Sequence, residues 1–152
     1  MRLRNLSSNN LHFAAIAGLL ALVLATHADA AAVTVTGGWI RALPAGLPAA
    51  GYFELHNGTD KSVSLTGAAS PACGMLMLHK SEDMGGMMKM DDVSSVDAAP
   101  GDTVKFAPGG YHLMCMSPTA AIKPGARVPV TLKFANGANV QSDFSVRNAS
   151  GK

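Results

Sequence analysis

From Val33 onward, apolar and polar positions alternate with a period of two, in short runs divided by turn residues. Arg127 to Phe134 (RVPVTLKF) sets Val128, Val130, Leu132 and Phe134 on one face, and Val140 to Val146 turns Phe144 and Val146 inward. Val104 and Phe106 alternate in the same way. So do Phe53 and Leu55 within Tyr52 to His56, followed by Val63 and Leu65. Such alternation marks strands buried on one side. Between the runs lie Asn57-Gly58, Gly85-Gly86, Pro100-Gly101-Asp102, Pro108-Gly109-Gly110, Pro124-Gly125 and Asn136-Gly137, all turn-forming pairs or triplets. Pro44 and Pro48 make an irregular stretch after a first strand over Val33 to Arg41. No stretch of helical length past residue 30 keeps a 3.6-residue period. The pattern predicts an all-β chain of about seven to nine short strands folded as an antiparallel β-sandwich.

Residues 1–30 follow a different rule. Arg2 and Arg4 precede an apolar run from Phe13 to Leu24, and Ala28-Asp29-Ala30 supplies a small-x-small cleavage site. This is the layout of a secretory signal peptide. The run is shorter than the ~20 residues a spanning helix requires, and Arg2 and Arg4 are not adjacent, which argues against a twin-arginine signal. The expected organisation is a signal over residues 1–30 and a single domain over 31–152. That domain is expected to be exported, soluble and free of membrane spans, in the periplasm if the source is Gram-negative.

Charge removes one class of partner. Twelve basic and ten acidic residues leave a formal net charge of +2, which offers no electrostatic footprint for nucleic acid. The two cysteines, Cys73 and Cys115, are too far apart in sequence for a redox dithiol. In an oxidising compartment they either form a disulfide or remain as two buried apolar side chains. No paired carboxylates, nucleophile–base arrangement or phosphate-cradling loop is apparent, so an enzyme is not expected.

Methionine changes the picture. Of nine methionines, all but Met1 fall between Met75 and Met116, and this window also holds His79 and His112, two of the three histidines past residue 30. Thioether sulfur is soft and neutral and imidazole is intermediate, a combination suited to Cu(I) rather than to zinc or hard cations. His112 and Met114, two apart on a strand, share a face. His79 ends a strand, and a hairpin through Gly85-Gly86 brings Met90 back towards it. If the His112 strand packs alongside, the four side chains meet at one end of the sandwich. Met75 and Met77 are expected in the core; Met116, which shares parity with Met114, is expected either in the core or beside the metal ligands. Met84, Met87 and Met88 surround the Gly-Gly turn and either cap the sandwich or form a loose acceptor surface for copper. His56 is expected to be an exposed loop histidine outside any metal site.

The order His79, Met90, His112, Met114 has the spacing H-x10-M-x21-H-x-M. It resembles the motif of the PCu(A)C-type periplasmic copper chaperones, and GGWIRALPAG, GYFELHN and PGGYHLM resemble the segments around it. The resemblance covers nearly all of the chain after the signal. It implies a cupredoxin-like Greek-key sandwich in which His79, Met90, His112 and Met114 hold one Cu(I) per chain. It further implies a carrier that passes copper to an acceptor protein, an oxidase subunit or another chaperone, towards the CuA centre of cytochrome c oxidase, and a monomeric state. Two departures stand out: Cys115 occupies a position that is more usually apolar, and no Met- and His-rich tail follows Val146. Copper buffering or tolerance is an alternative role for the same site. A blue-copper electron carrier is another, although Cys115 falls on the opposite strand face from His112 and Met114, and such a centre requires a thiolate.

Overall fold

The computed structural model describes residues 32–152; the expected signal peptide lies outside the described residues. Ten strands follow one another: β1 (Val33–Arg41), β2 (Ala49–Asn57), β3 (Val63–Ala69), β4 (Cys73–Asp83), β5 (Met88–Asp92), β6 (Val96–Ala98), β7 (Thr103–Phe106), β8 (Tyr111–Pro118), β9 (Arg127–Phe134) and β10 (Asn139–Arg147). The count exceeds the upper expectation by one strand, and β6, with only 3 residues, is too short for alternation to declare itself. The one helical element among the described residues is a 3₁₀ turn over Pro44–Gly46 in the proline-marked stretch. None of the described helical residues is long and apolar enough to cross a membrane.

The strands pair in the order β5-β4-β8-β7-β2-β1-β10-β9-β3-β6. Further pairings of β4 with β3 and of β8 with β2 close the sheet on itself. Almost every pairing is antiparallel; β1 with β10 and a single contact of β7 with β8 are parallel. The result is an all-β, cupredoxin-like sandwich in which β5 and β6 each pair on one side only. Closure between the other strands satisfies backbone groups that an open edge would leave bare.

The core forms from the alternating runs. Phe53, Leu55, Leu65, Phe106, Val128, Val130, Leu132, Phe134, Phe144 and Val146 are all buried, and Phe53 stacks on Phe106 with ring centroids 4.2 Å apart. Leu76 and Leu78 from β4 join Leu113 and Cys115 from β8 in the same cluster. Cys73 and Cys115 are joined by a disulfide across a Cα separation of 5.4 Å, which selects one of the two states left open by the sequence. The bond closes a loop spanning a sequence separation of 42. On the chain-entropy model such a loop stabilises the fold by roughly 4 kcal/mol. Replacing both cysteines by alanine is expected to lower the unfolding free energy by about that amount, measurable as a fall in the urea midpoint.

Candidate metal centre

Two antiparallel neighbours, β4 and β8, build the site. Their register sets Met75 opposite Met116, Met77 opposite Met114, and His79 opposite His112. Leu76, Leu78, Leu113 and Cys115 are buried between these positions, so the methionines and histidines occupy the outward face by strand alternation. The two imidazoles meet edge to face with ring centroids 5.7 Å apart. The pair sits on the outer face of the sheet beside the start of β8, and His79 is internal to β4, which continues to Asp83, rather than at a strand end.

The hairpin from β4 to β5 brings the third strand. Gly85 and Gly86 have φ of 75° and 101°, the left-handed conformation that a tight hairpin turn with the right strand twist demands. The Met84 amide closes the turn on the Met87 carbonyl at 2.8 Å. The register that follows pairs Ser81 with Met90 and His79 with Asp92. Met90 therefore stands diagonal to His79, one row towards the hairpin tip, while Met114 stands one row the other way on β8. Such diagonal neighbours are about 7–8 Å apart, within reach of long side chains. The two thioethers thus flank the histidine pair. Met90 is 54% exposed, whereas His112 is only 4% exposed, so the four predicted residues span the passage from buried to solvent-facing.

His112 owes its burial to the next strand. Tyr52 of β2 lies beside it with ring centroids 6.4 Å apart, and Trp39 of β1 lies beyond, its ring tilted against Tyr52 at 4.7 Å. The Arg41 guanidinium covers both aromatic rings. Burial pushes the His112 pKa below the ordinary imidazole value of 6.5; the Gly110 hydrogen bond acts the other way, and the nearby His79 adds to the depression. Nδ1 of His112 lies 3.1 Å from the Gly110 carbonyl oxygen. A carbonyl only accepts, so Nδ1 is the donor and the neutral ring keeps its lone pair on Nε2. This is the orientation in which a histidine offers itself to a metal.

His79 is poised differently. Both of its ring nitrogens are buried without a hydrogen bond, a costly state for polar atoms. Nε2 does lie 2.9 Å from Asp92 Oδ1, close enough for an ion pair if the ring is protonated but misdirected for a hydrogen bond. Because Asp92 is 77% exposed at its side chain, that contact contributes only about 0–1 kcal/mol and presents little obstacle to another partner for Nε2. Among the described residues no three His, Cys, Asp or Glu side chains gather into a metal-sized group. The soft donors that the strand register sets diagonal to His79 are the thioethers of Met90 and Met114.

The structure corrects the reading of Met75 and Met77 and takes Met116 out of the core. Met75 is 57% exposed and Met116 37% exposed, and Met77 is half-buried; none belongs to the core. Each shares strand parity with a histidine of the outer face, a signal already present in the sequence. Met75→Ala is accordingly expected to change stability by less than about 0.5 kcal/mol, not by the several kcal/mol of a core truncation, as thermal unfolding of the apo protein can check. Met84, Met87 and Met88 are exposed around the turn. His56 is exposed as expected, but it lies within β2 with Nδ1 3.0 Å from Thr103 Oγ1. Asp92 escaped sequence reasoning, although the two-glycine turn fixes its register opposite His79.

A closed cupredoxin-like sandwich with opposed histidines flanked by methionines on its β4–β8 face defines a PCuAC-type domain. Residues 33–146 match the family model described as "Putative lipoprotein LpqE-like", and the chain belongs to this LpqE-like family. It is 32% identical over 120 residues to "Putative lipoprotein Lxx21020" of Leifsonia xyli subsp. xyli (strain CTCB07), covering 78% of this chain and 72% of that protein. Among solved structures, it resembles the Cu(I) form of DR1885 from Deinococcus radiodurans with a TM-score of 0.62 and 33% identity, covering 80% of this chain and 83% of that one. The copper-bound PCuAC domain from PmoF2 shares the fold with a TM-score of 0.63 at 22% identity, over 76% of this chain and 92% of that domain.

Proposed function

We propose that this chain is an exported copper carrier in which His79, Met90, His112 and Met114 bind one Cu(I) and surrender it to an acceptor protein. The observation that carries the reading is the opposed pair of histidines: His112 presents Nε2, and His79 has no hydrogen bond at either nitrogen. Both lie between rows that supply soft sulfur. The Cu(I) form of DR1885, a third identical in sequence, lends support. Two imidazoles and two thioethers are neutral, so they favour a soft monovalent ion without the grip of a thiolate. Met90, on the exposed hairpin, gives an acceptor direct access to the ion. Such a site exchanges ligands with an incoming thiolate, which is the chemistry of a carrier and not of an enzyme.

The finer reading, carried by the family resemblance, is a periplasmic monomer consisting of a signal over residues 1–30 and one copper-binding domain over 31–152, delivering copper towards the CuA centre of cytochrome c oxidase. An electron-carrying blue-copper centre has no thiolate to draw on here, because Cys115 is bonded to Cys73.

Anaerobic titration with Cu(I) in the presence of a competing chelator, followed by X-ray absorption, tests the proposal. The expected result is a tight first equivalent with mixed nitrogen and sulfur scattering, and no comparable affinity for Zn(II). Nitrogen and oxygen scattering alone would overturn it. Transfer from the loaded protein to an apo CuA-bearing oxidase subunit separates delivery from buffering, which predicts retention of the ion.

A further inference from the structure

On β7 and β10 the outward positions are occupied by ordinary polar side chains: Thr103, Lys105, Gln141 and Asp143 are examples, all exposed. The outward positions of β4 and β8 break that rule. From Met75 to His79 and from His112 to Met116, all six are methionine or histidine. The four-residue copper reading uses three of these six, leaving Met75, Met77 and Met116. Met75 and Met116 are directly opposed and 57% and 37% exposed. Met77 lies on the same face one row nearer the histidines, diagonal to Met116 and opposite Met114.

Large apolar side chains at opposed, solvent-facing positions gain nothing from burial, and the adjoining core is already filled by Leu76, Leu78 and Cys115. Directly opposed residues on antiparallel strands have Cβ atoms about 4.5–5.5 Å apart, and diagonal ones about 7–8 Å. A methionine side chain has three rotatable bonds beyond Cα, so three sulfurs at these positions can turn towards a common point above the sheet. Three neutral thioethers are selective for a soft monovalent cation and offer nothing to zinc, calcium or magnesium.

We propose that Met75, Met77 and Met116 form a second Cu(I) site, weaker than the histidine site and adjoining it along the β4–β8 face. The Met77–Met114 row joins the two sites, so an ion held by the outer thioethers is one cross-strand row from the His79–His112 pair. The second site rests on assigning the first to the histidines, since that assignment is what leaves these three thioethers free. It is weaker because it lacks imidazole, and it serves as a point of capture or exit for copper.

The test is Cu(I) titration of the protein carrying ¹³C at its methionine methyl groups, followed by NMR. In the parent protein the first equivalent is expected to shift Met90 and Met114 together with the imidazole signals, and the second to shift Met75, Met77 and Met116. Met75→Leu with Met116→Leu preserves side-chain volume. It should keep the first equivalent within about twofold in affinity and weaken the second at least tenfold. In His79→Ala with His112→Ala, the first equivalent should go directly to Met75, Met77 and Met116. If two equivalents of Cu(I) leave those three methyls unmoved while the histidine site fills, the second site is refuted and the first stands. If the first equivalent to the parent protein moves the three outer methyls and leaves the imidazoles unchanged, the histidine reading itself fails.

Discussion

Replacing both histidines, His79→Ala with His112→Ala, is expected to lower Cu(I) affinity at the histidine site by more than about 100-fold. Loss of a residue that merely orients a metal ligand costs 10–100-fold, and each imidazole lost here is a ligand in its own right, so about 100-fold is a lower bound for either single variant. The two variants will not combine as independent sites, because the rings are in edge-to-face contact at 5.7 Å and serve one ion. Each single variant should therefore account for most of the loss. Folding is expected to survive. His112 is buried with one hydrogen bond to Gly110, but His79 keeps two buried nitrogens unbonded, and its removal relieves an unpaid desolvation. Competition titration against a Cu(I) chelator measures the affinity, and thermal unfolding of the apo variants separates a lost ligand from a lost fold. Retention of tight, histidine-independent binding in a folded double variant would reassign the site to the methionines.

The legibility of this chain differs by face. The inward face was readable wherever the outward one was polar: Val128, Val130, Leu132 and Phe134 alternate with Arg127, Thr131 and Lys133, and every one of the four is buried. On β4 both faces are apolar. Met75 and Met77 alternate with Leu76 and Leu78, so hydrophobicity cannot say which pair is inside. Parity could have decided it. Met75 and Met77 share a face with His79, and Met116 shares one with His112 and Met114. An outward histidine pair therefore carries all three methionines outward with it. The hairpin was equally legible, because the two glycines fix Ser81 opposite Met90 and His79 opposite Asp92. The pairing of β4 with β8 was not. These strands are separated by β5, β6 and β7, and no local turn sets their register; the disulfide between Cys73 and Cys115, the long-range tie that holds them, was only one of two states the sequence allowed.

Copper affinity is expected to depend on pH in a way that identifies the ligands. Imidazole binds a metal only through an unprotonated nitrogen, so protons compete with Cu(I) at His79 and His112, while the thioethers of Met90 and Met114 do not titrate. Above about pH 7.5 the His112 ring, held below the ordinary imidazole value, is neutral in the apo protein and adds no slope. As pH falls, each ring that protonates in the apo state costs up to about tenfold in apparent affinity per pH unit. Burial and the adjacent His79 hold His112 below the ordinary value of 6.5, against the pull of the Gly110 carbonyl. Protonation of this ring is thus deferred, and its share of the slope should appear only below the ordinary imidazole pKa. A depressed His112 pKa protects the site from mild acid, so the protein should hold copper down to a lower pH than an unshifted ring at this position would allow. Asp92 beside His79 and Tyr52 beside His112 are the other titratable groups in contact with the pair. Burial raises the Tyr52 pKa above its ordinary value of 10.0, so this phenol stays neutral across the range. A thiolate ligand would instead add affinity up to about pH 8.5, and the Cys73–Cys115 bond removes that contribution. Chelator competition at several pH values distinguishes these outcomes. A flat profile from about pH 5 to 8 would mean that neither histidine is a ligand.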